Sequence, residues 1–182
     1  MQKIIKKFSH LKIHTQYSIC EGTIKIDDLK EYCKRNQTQS IGISDTNNLC
    51  GALEFSESIS KSGTQPIIGT QINFKYNDNI GLLPLVALNE NGYKRIIELS
   101  SKYYLESNNL SELSLSINTL LEKPDGIAIF SGTSYGFFGK LFDKGRLEDI
   151  DKIYQKICSV FKDKFYIEIQ RHDDINEKNF EK

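Results

Sequence analysis

The sequence has 182 residues, and its 24 Lys and Arg balance 24 Asp and Glu. A chain of this length can bury a sizeable core, and we expect one domain over residues 1–182. The balanced charge predicts no basic face for gripping nucleic acid, and we expect the basic start at Lys3, Lys6 and Lys7 to be solvated. The apolar runs are too short to span a bilayer and residues 1–20 are too polar for a signal peptide, so we expect no membrane partner and a cytoplasmic location.

The four cysteines show neither C-x-x-C spacing nor the density of a disulfide scaffold. They are Cys20, Cys33, Cys50 and Cys158. Cys33 and Cys158 fall at apolar positions of helical patterns, which favours buried packing over a zinc site.

The first part of the sequence alternates between strand and helix periods. A short strand is predicted at residues 11–13 and another at residues 41–43. Between them, apolar residues spaced over 26–33 predict a helix. Asp27 and Asp28 fall in its first turn, where acidic side chains suit the helix dipole.

A second helix is predicted over residues 49–59, with Gly63 as its C-cap. Its predicted inward face comprises Leu49, Ala52, Leu53, Ser56 and Ile59. Residues 66–74 then read as a strand, and residues 77–79 as a polar turn.

Residues 82–88 form a nearly continuous apolar run, the pattern of a strand covered on both faces. A helix follows over residues 91–104, and we expect Ile96, Ile97 and Leu99 to face inward. The polar segment 106–113 is predicted to be a loop.

The last part of the sequence predicts two further helices and two further strands. Residues 117–121 suggest a short helix and residues 127–130 a buried strand. The clearest helix spans residues 147–161, and alternation over residues 165–169 predicts a last strand. The apolar stripe of that helix comprises Leu147, Ile150, Ile153, Tyr154, Ile157 and Phe161. Alternating strands and helices favour an α/β fold with a mainly parallel sheet, although periodicity alone does not choose between an open sheet and a barrel.

Several short motifs in the sequence are more specific than this pattern. They read H-L-K-I-H-T-Q-Y-S at 10–18, S-D-T-N-N-L-C-G-A at 44–52, P-I-I-G-T-Q at 66–71, N-E-N-G-Y at 89–93, S-G-T at 131–133 and E-I-Q-R-H at 168–172. Together they resemble the PHP (polymerase and histidinol phosphatase) domain at the N-terminus of bacterial DNA polymerase III alpha subunits, the C-family replicative polymerases. The resemblance covers about residues 8–172.

The resemblance implies a PHP-type distorted (β/α)7 barrel. Because residues 1–182 supply only five or six strands, we expect a barrel that is incomplete at the C-terminus. The sequence is then interpreted as the PHP domain, an N-terminal fragment of a longer polymerase chain.

Active PHP domains hold a cluster of divalent metal ions at their strand ends and hydrolyse phosphoesters. Matching the motifs position by position, the resemblance implies four surviving vestigial metal-site positions: His14, Glu21, Asp45 and His172. Five other positions depart from the pattern of the family: Lys12, Thr46 and Leu82 where it has histidines, Gln71 where it has a carboxylate, and Thr133 where it has a cysteine.

These departures predict that the multinuclear metal site is lost and that the fragment has no catalytic residues and no cofactor. A protonated lysine cannot ligate a metal ion, and its charge repels one. We expect His14 and Asp45 to form a buried hydrogen-bonded pair instead. The alternative is one weakly bound Mn, Zn or Mg ion on His14, Glu21 and Asp45.

The resemblance implies a parent DNA-directed DNA polymerase, a nucleotidyltransferase of DNA replication, whose palm is absent from this sequence. The fragment itself is expected to be a structural and docking module. Its partners would be the remainder of the alpha chain and the proofreading exonuclease subunit, with template-primer DNA reached only through the rest of the polymerase. The alternative function is a metal-dependent phosphoesterase or 3'-5' exonuclease of the PHP family. A stand-alone phosphatase such as histidinol phosphatase fits less well, because N-N-L-C-G and N-E-N-G-Y favour the polymerase branch.

Overall fold

The computed structural model describes residues 8–106 and 113–181. Its chain forms two compact units, Met1–Thr70 and Gln71–Lys182. The predicted solvated start at Lys3, Lys6 and Lys7 lies outside the described residues. Of the predicted loop over residues 106–113, only Glu106 and Leu113 lie within them. No helix within the described ranges is long and apolar enough to cross a membrane.

The first unit contains two helices and the strands that lie beside them. Its elements are α1 (Ile26–Asn36), β1 (Ser40–Thr46), α2 (Ala52–Ser60) and the beginning of β2 (Gln65–Tyr76), which continues into the second unit. β1 lies next to β2 in the sheet. The predicted first strand is reduced to isolated parallel bridges, from Ile13 to Ile43 and from Thr15 to Ile24. Both predicted helices of this unit are confirmed.

The core of the first unit is a cluster of apolar side chains between its helices and β1: Ile26, Leu29, Cys33, Ile41, Ile43, Phe55 and Ile59. The predicted inward face of α2 was wrong at Leu53, which is 71% exposed, because the larger ring of Phe55 is buried in its place. The predicted cap was also wrong. Lys61 is the C-cap of α2, and Gly63 lies two residues later with φ +76°, in the turn towards β2.

The second unit contains the rest of β2 and the remaining elements. They are β3 (Asn79–Ala87), α3 (Glu90–Leu105), β4 (Leu115–Ser116), α4 (Ile117–Leu121), β5 (Ile127–Phe130), α5 (Phe137–Asp143), α6 (Leu147–Phe161), a 3₁₀ turn (Lys162–Lys164), β6 (Phe165–Tyr166) and α7 (Ile175–Phe180). The predicted bounds of α4, β5 and α6 are confirmed to the residue. α5 and α7 were not predicted.

The sheet of the second unit is mixed, so the prediction of a mainly parallel sheet was wrong. β2, β3, β5 and β6 are neighbours in that order, and β4 pairs with β2 in parallel. β3 and β5 are antiparallel, with Leu85 opposite Ile129, whereas β5 and β6 are parallel. The cause is local: only Asn77 and Asp78 separate β2 from β3, and a connection of two residues forms a hairpin rather than a crossover.

Predictions at five side chains of the second unit, on α3, on α6 and after β6, were wrong. Ile97 on α3 is 41% exposed, because the inward face there is formed by Ile96 and Leu99 together with Arg95. On α6, Leu147 and Tyr154 lie at the exposed margin of the stripe. The last strand ends at Tyr166, and the predicted strand residues Ile167 and Ile169 are both 59% exposed.

α3 begins at a close contact between two glycines. The side chain of Asn89 caps the helix by accepting a hydrogen bond of 3.0 Å from the backbone N–H of Gly92. A Cβ on Gly92 would overlap the carbonyl group of Gly126, a residue with φ +75°. This contact explains the glycine of the N-E-N-G-Y motif in structural terms, since no larger residue fits between helix and loop.

Candidate functional site around Asp45

The first unit brings together three of the four predicted vestigial positions. Asp45 and the departed position Thr46 form the C-terminal end of β1. His14 lies between the two bridged residues Ile13 and Thr15, and Glu21 lies in the turn that follows. Asp45 is buried, with 1% of its surface exposed, whereas Glu21 is exposed.

Both carboxylate oxygens of Asp45 accept hydrogen bonds from the segment that precedes it. Oδ1 accepts from the backbone N–H of Thr15 at 2.6 Å and from the hydroxyl of Ser18 at 2.7 Å. Oδ2 accepts from the hydroxyl of Thr15 at 2.8 Å. Thr15 and Ser18 are both fully buried. Asp45 therefore anchors residues 15–18 to the end of β1.

The same segment is also held by the residues after Asp45. The backbone N–H of Thr46 donates to the Ser18 hydroxyl at 3.1 Å, and the Thr46 hydroxyl donates to the Glu21 carboxylate. The side-chain amide of Asn48 donates to the carbonyl of Tyr17 at 2.9 Å. At a position where the resemblance implies a histidine, Thr46 is thus part of an internal hydrogen-bond network.

The hydrogen bond predicted between His14 and Asp45 is not among these contacts: Nδ1 of His14 is buried and has no hydrogen-bond partner. Burial lowers the pKa of His14 below its ordinary value of 6.5, and the charge of Lys12 lowers it further, against the opposing effects of Glu21 and Asp45. A lowered pKa favours the neutral imidazole at neutral pH. His14 is therefore within electrostatic reach of Lys12, Glu21 and Asp45.

The residues of the first unit do not fit a cluster of divalent metal ions. A ligating carboxylate needs free lone pairs facing the metal, yet both oxygens of Asp45 face hydrogen-bond donors of Thr15 and Ser18. The hydroxyl of Thr46 is a poor replacement for imidazole, and Lys12 places a positive charge beside His14.

The remaining predicted positions belong to the second unit. Gln71 is buried on β2, and Leu82 is half-buried on β3. Thr133 lies in the loop between β5 and α5, where it lines a groove of about 210 Å³ together with Glu168 and Arg171. At these three positions the side chains are an amide (Gln71), an alkyl group (Leu82) and a hydroxyl (Thr133).

His172, the fourth vestigial position, lies between β6 and α7 and is oriented by a carboxylate. Its Nδ1 is 2.8 Å from Oε1 of Glu177, and its backbone N–H donates to Oε2 of Glu177 at 2.6 Å. Hydrogen bonds from His172 hold the pKa of Glu177 below its usual range. The ring itself is largely exposed, with 71% of the side chain accessible.

Sequence reasoning missed Thr15, Ser18 and Glu177, the residues that hold Asp45 and His172. A signal for two of them was present. Both are hydroxyl residues of the H-L-K-I-H-T-Q-Y-S motif, Thr15 directly after His14 and Ser18 four residues after it. Glu177 lies in a polar run without an apolar pattern, so no sequence signal identified it.

Comparison with known proteins agrees with the resemblance read from the motifs. The family model of the PHP domain matches residues 10–172. DNA polymerase III subunit alpha of Caulobacter vibrioides is 34% identical over 178 residues, covering 91% of this chain, and that of Haemophilus influenzae is 32% identical over 178 residues, covering 96%. That of Borreliella burgdorferi is 31% identical over 188 residues, covering 94% of this chain.

The matched region is a small part of each relative. The chain spans about 15% of the length of the first two and 16% of the third. The α/β architecture and the match over residues 10–172 confirm the predicted family. The chain therefore belongs to the PHP domain family, and its curated homologues are DNA polymerase III alpha subunits.

Proposed function

We propose that this chain is the PHP portion of a bacterial DNA polymerase III alpha subunit, and that it acts there as a structural and docking module without catalysis of its own. Its partners are the remainder of the polymerase chain and the proofreading exonuclease subunit. Template-primer DNA is reached through the rest of the polymerase, whose activity is DNA-directed DNA synthesis. The homology to DNA polymerase III alpha subunits supports the identity of the parent.

The observation that supports loss of catalysis is the engagement of Asp45. Its two oxygens are used to hold Thr15 and Ser18, so the most buried vestigial ligand has a role in holding the fold together. Thr46 adds a bond to Glu21, the next vestigial position. A residue set that bonds internally has few lone pairs left for metal ions.

Metal binding is the first test of this proposal. After dialysis, the purified protein should contain no stoichiometric Mn, Zn or Mg by mass spectrometry, and 1 mM MnCl2 or ZnCl2 should leave its Tm unchanged. An ion present at 100 times its Kd would stabilise the native state by about 2.7 kcal/mol, which is about 5–10 °C for a chain of this size. Two or three tightly bound ions per chain would overturn the proposal.

The parent polymerase and the docking role need separate tests. An antibody raised against this chain should precipitate from source cells a polypeptide of the length of the relatives that extends a primed DNA template. The purified protein should form a 1:1 complex with the proofreading exonuclease subunit of the same organism in light scattering after gel filtration. An unrelated protein of similar size is the control. Absence of complex at micromolar concentration would remove the docking role and leave the structural one.

A second candidate function, a metal-dependent phosphoesterase or 3'-5' exonuclease, is favoured by His172. The Nδ1 atom of His172 is hydrogen-bonded to the carboxylate of Glu177. Histidines that bind metal ions are commonly oriented by a carboxylate in this way. Hydrolysis of p-nitrophenyl phosphate or single-stranded DNA that depends on Mn²⁺ and is lost in both His172→Ala and Asp45→Asn would favour this function over the first.

A further inference from the structure

The site around Asp45 leaves an electrostatic problem that its hydrogen bonds do not solve. The carboxylate is buried, and its three donors, the N–H and hydroxyl of Thr15 and the hydroxyl of Ser18, are all neutral groups. Burying a carboxylate without a nearby positive charge is costly even when its oxygens are hydrogen-bonded. Glu21 adds a second negative charge close by.

Lys12 is placed to supply that charge. It lies two residues before His14 in a segment that is bridged to β1 at Ile13, and alternate residues of an extended segment project from the same face. Hydrogen bonds on both sides of Lys12 fix the segment against β1, one from the N–H of Gly42 to the carbonyl of His10 and one from the N–H of Ser44 to the carbonyl of Ile13. Lys12 itself is half-buried.

The substitutions at the departed positions also differ in charge. Thr46, Gln71, Leu82 and Thr133 are neutral, and Lys12 alone is charged. Loss of selection for metal binding is enough to explain the four neutral replacements. It does not by itself explain why a positively charged residue stands at position 12. A lysine on the face of His14 adds one positive charge to a site that holds the carboxylates of Asp45 and Glu21.

We propose that the ammonium group of Lys12 is a built-in cation that replaces the metal ions of the family electrostatically and stabilises the buried carboxylate of Asp45. The inference rests on the proposed absence of a functional metal centre. It makes Lys12 a positioning residue: through Asp45, it helps to hold residues 15–18 against the end of β1. It also makes the fold of the first unit independent of divalent metal.

A double-mutant cycle on the purified protein tests this directly. Lys12→Met removes the charge and keeps most of the stem, whereas Lys12→Arg keeps the charge. Each is made alone and together with Asp45→Asn, and Lys34→Met, an exposed lysine of the same unit, is the control. We expect Lys12→Met to lower Tm by about 4–8 °C and Lys12→Arg by about 2 °C or less. In the Asp45→Asn background, Lys12→Met should lower Tm by less than about 2 °C.

The outcomes separate charge from packing. If Lys12→Met lowers Tm equally in both backgrounds, the stem of Lys12 acts by packing and the inference is wrong. If Lys12→Met behaves like Lys34→Met, it is wrong as well. Should Lys12→Met fail to fold, Lys12→Gln compared with Lys12→Arg in the same two backgrounds gives the same decision.

A metal titration keeps this inference distinct from the function on which it rests. A wild-type Tm that rises by several degrees with 1 mM MnCl2 overturns the proposed function and the role of Lys12 together. A wild-type protein that does not respond to Mn²⁺, combined with no coupling between Lys12 and Asp45, overturns only the role of Lys12. Coupling without a response to Mn²⁺ supports both.

Discussion

Replacement of Asp45 should destabilise the protein more than any other single change at the candidate site. Asp45→Ala removes three hydrogen bonds at once, two to Thr15 and one to Ser18, and leaves their donors buried. The hydroxyls can turn to other acceptors, but the backbone N–H of Thr15 cannot. Asp45→Asn keeps the shape and an acceptor for that N–H while removing the charge.

The size of the effect follows from those three bonds. A hydrogen bond to a charged group contributes about 1.5–3 kcal/mol, and because the three share one side chain their losses do not add fully. We therefore expect Asp45→Ala to lower the free energy of unfolding by about 3–5 kcal/mol and Asp45→Asn by about 1–2 kcal/mol. A typical domain has only about 5–15 kcal/mol in total, so the alanine variant approaches the limit of folding.

Urea unfolding followed by far-UV circular dichroism measures both variants. With an m-value of about 2 kcal/mol/M, the alanine variant should unfold at a urea concentration about 1.5–2.5 M lower than the wild type. Asp151→Ala, at an exposed position on α6, is the matched control and should change the midpoint little. A loss below about 1 kcal/mol for Asp45→Ala would show that the network around Asp45 does not hold the segment, and would remove the main support for a structural role.

Three further predictions concern the second unit. Gly92→Ala should lower stability by about 2–4 kcal/mol, since its Cβ would overlap the carbonyl of Gly126 and the cost exceeds the gain in helix propensity; a thermal melt with unchanged Tm would contradict the close contact. Lys162→Gly should raise Tm by about 2–4 °C, because Lys162 ends α6 at φ 52° and ψ −119°, a region that favours glycine; Lys162→Ala should show no such gain, and an equal gain would assign the effect to the lost side chain. Glu177→Gln should be less stable than the wild type at pH 7. In the folded protein the pKa of Glu177 lies below its ordinary 4.5, so the stabilisation by its carboxylate is present above pH 4.5 and is lost as the pH falls through the folded pKa. Thermal melts from pH 7 to pH 3 should show the difference in Tm between wild type and Glu177→Gln closing. A difference in Tm that does not change with pH would argue against the bond to His172.

The sequence predicted where elements lie better than which faces they bury. The bounds of α4, β5 and α6 were predicted to the residue, because apolar runs with helical or strand period mark them clearly. On α2 the predicted face was right at Ala52 and Ile59, which are buried, and wrong at Leu53, because Phe55 is buried and Leu53 is exposed. Which residues at the margin of a helix face are buried depends on what the neighbouring element offers for packing, and a single sequence does not contain that information.

The periodicity of the sequence also did not predict which strands pair or where the pairing ends. Alternation over residues 165–169 resembles a strand, yet the backbone N–H of Glu168 donates to the side-chain hydroxyl of Ser131 at 2.9 Å and the ladder ends at Tyr166. Whether a strand continues depends on the backbone opposite it. The mixed sheet was likewise missed, although the short turn at Asn77 and Asp78 carried the necessary signal.

For the candidate site, the motifs identified positions but not contacts. They placed His14, Glu21 and Asp45 near one another, and the first unit brings these residues together. They also suggested a direct bond from His14 to Asp45, whereas Asp45 bonds to Thr15 and Ser18. The imidazole of His14 and the hydroxyls of Thr15 and Ser18 belong to the same short motif. Which of them bonds to Asp45 depends on differences of tenths of an ångström in donor–acceptor distance, and the sequence does not supply these.

The network around Asp45 has a consequence for synthesis on the ribosome. The residues that close it lie between positions 14 and 70, the last of them being Thr70, whose hydroxyl donates to the carbonyl of Asp45 at 2.6 Å. At a translation rate of about 5–20 residues per second, the rest of the chain to Lys182 follows Thr70 over about 6–22 s. During that interval every donor and acceptor of the network is already present in the nascent polypeptide. The side chain of Asp45 suits synthesis from the N-terminus, because both of its carboxylate oxygens accept hydrogen bonds from Thr15 and Ser18, which are made before it.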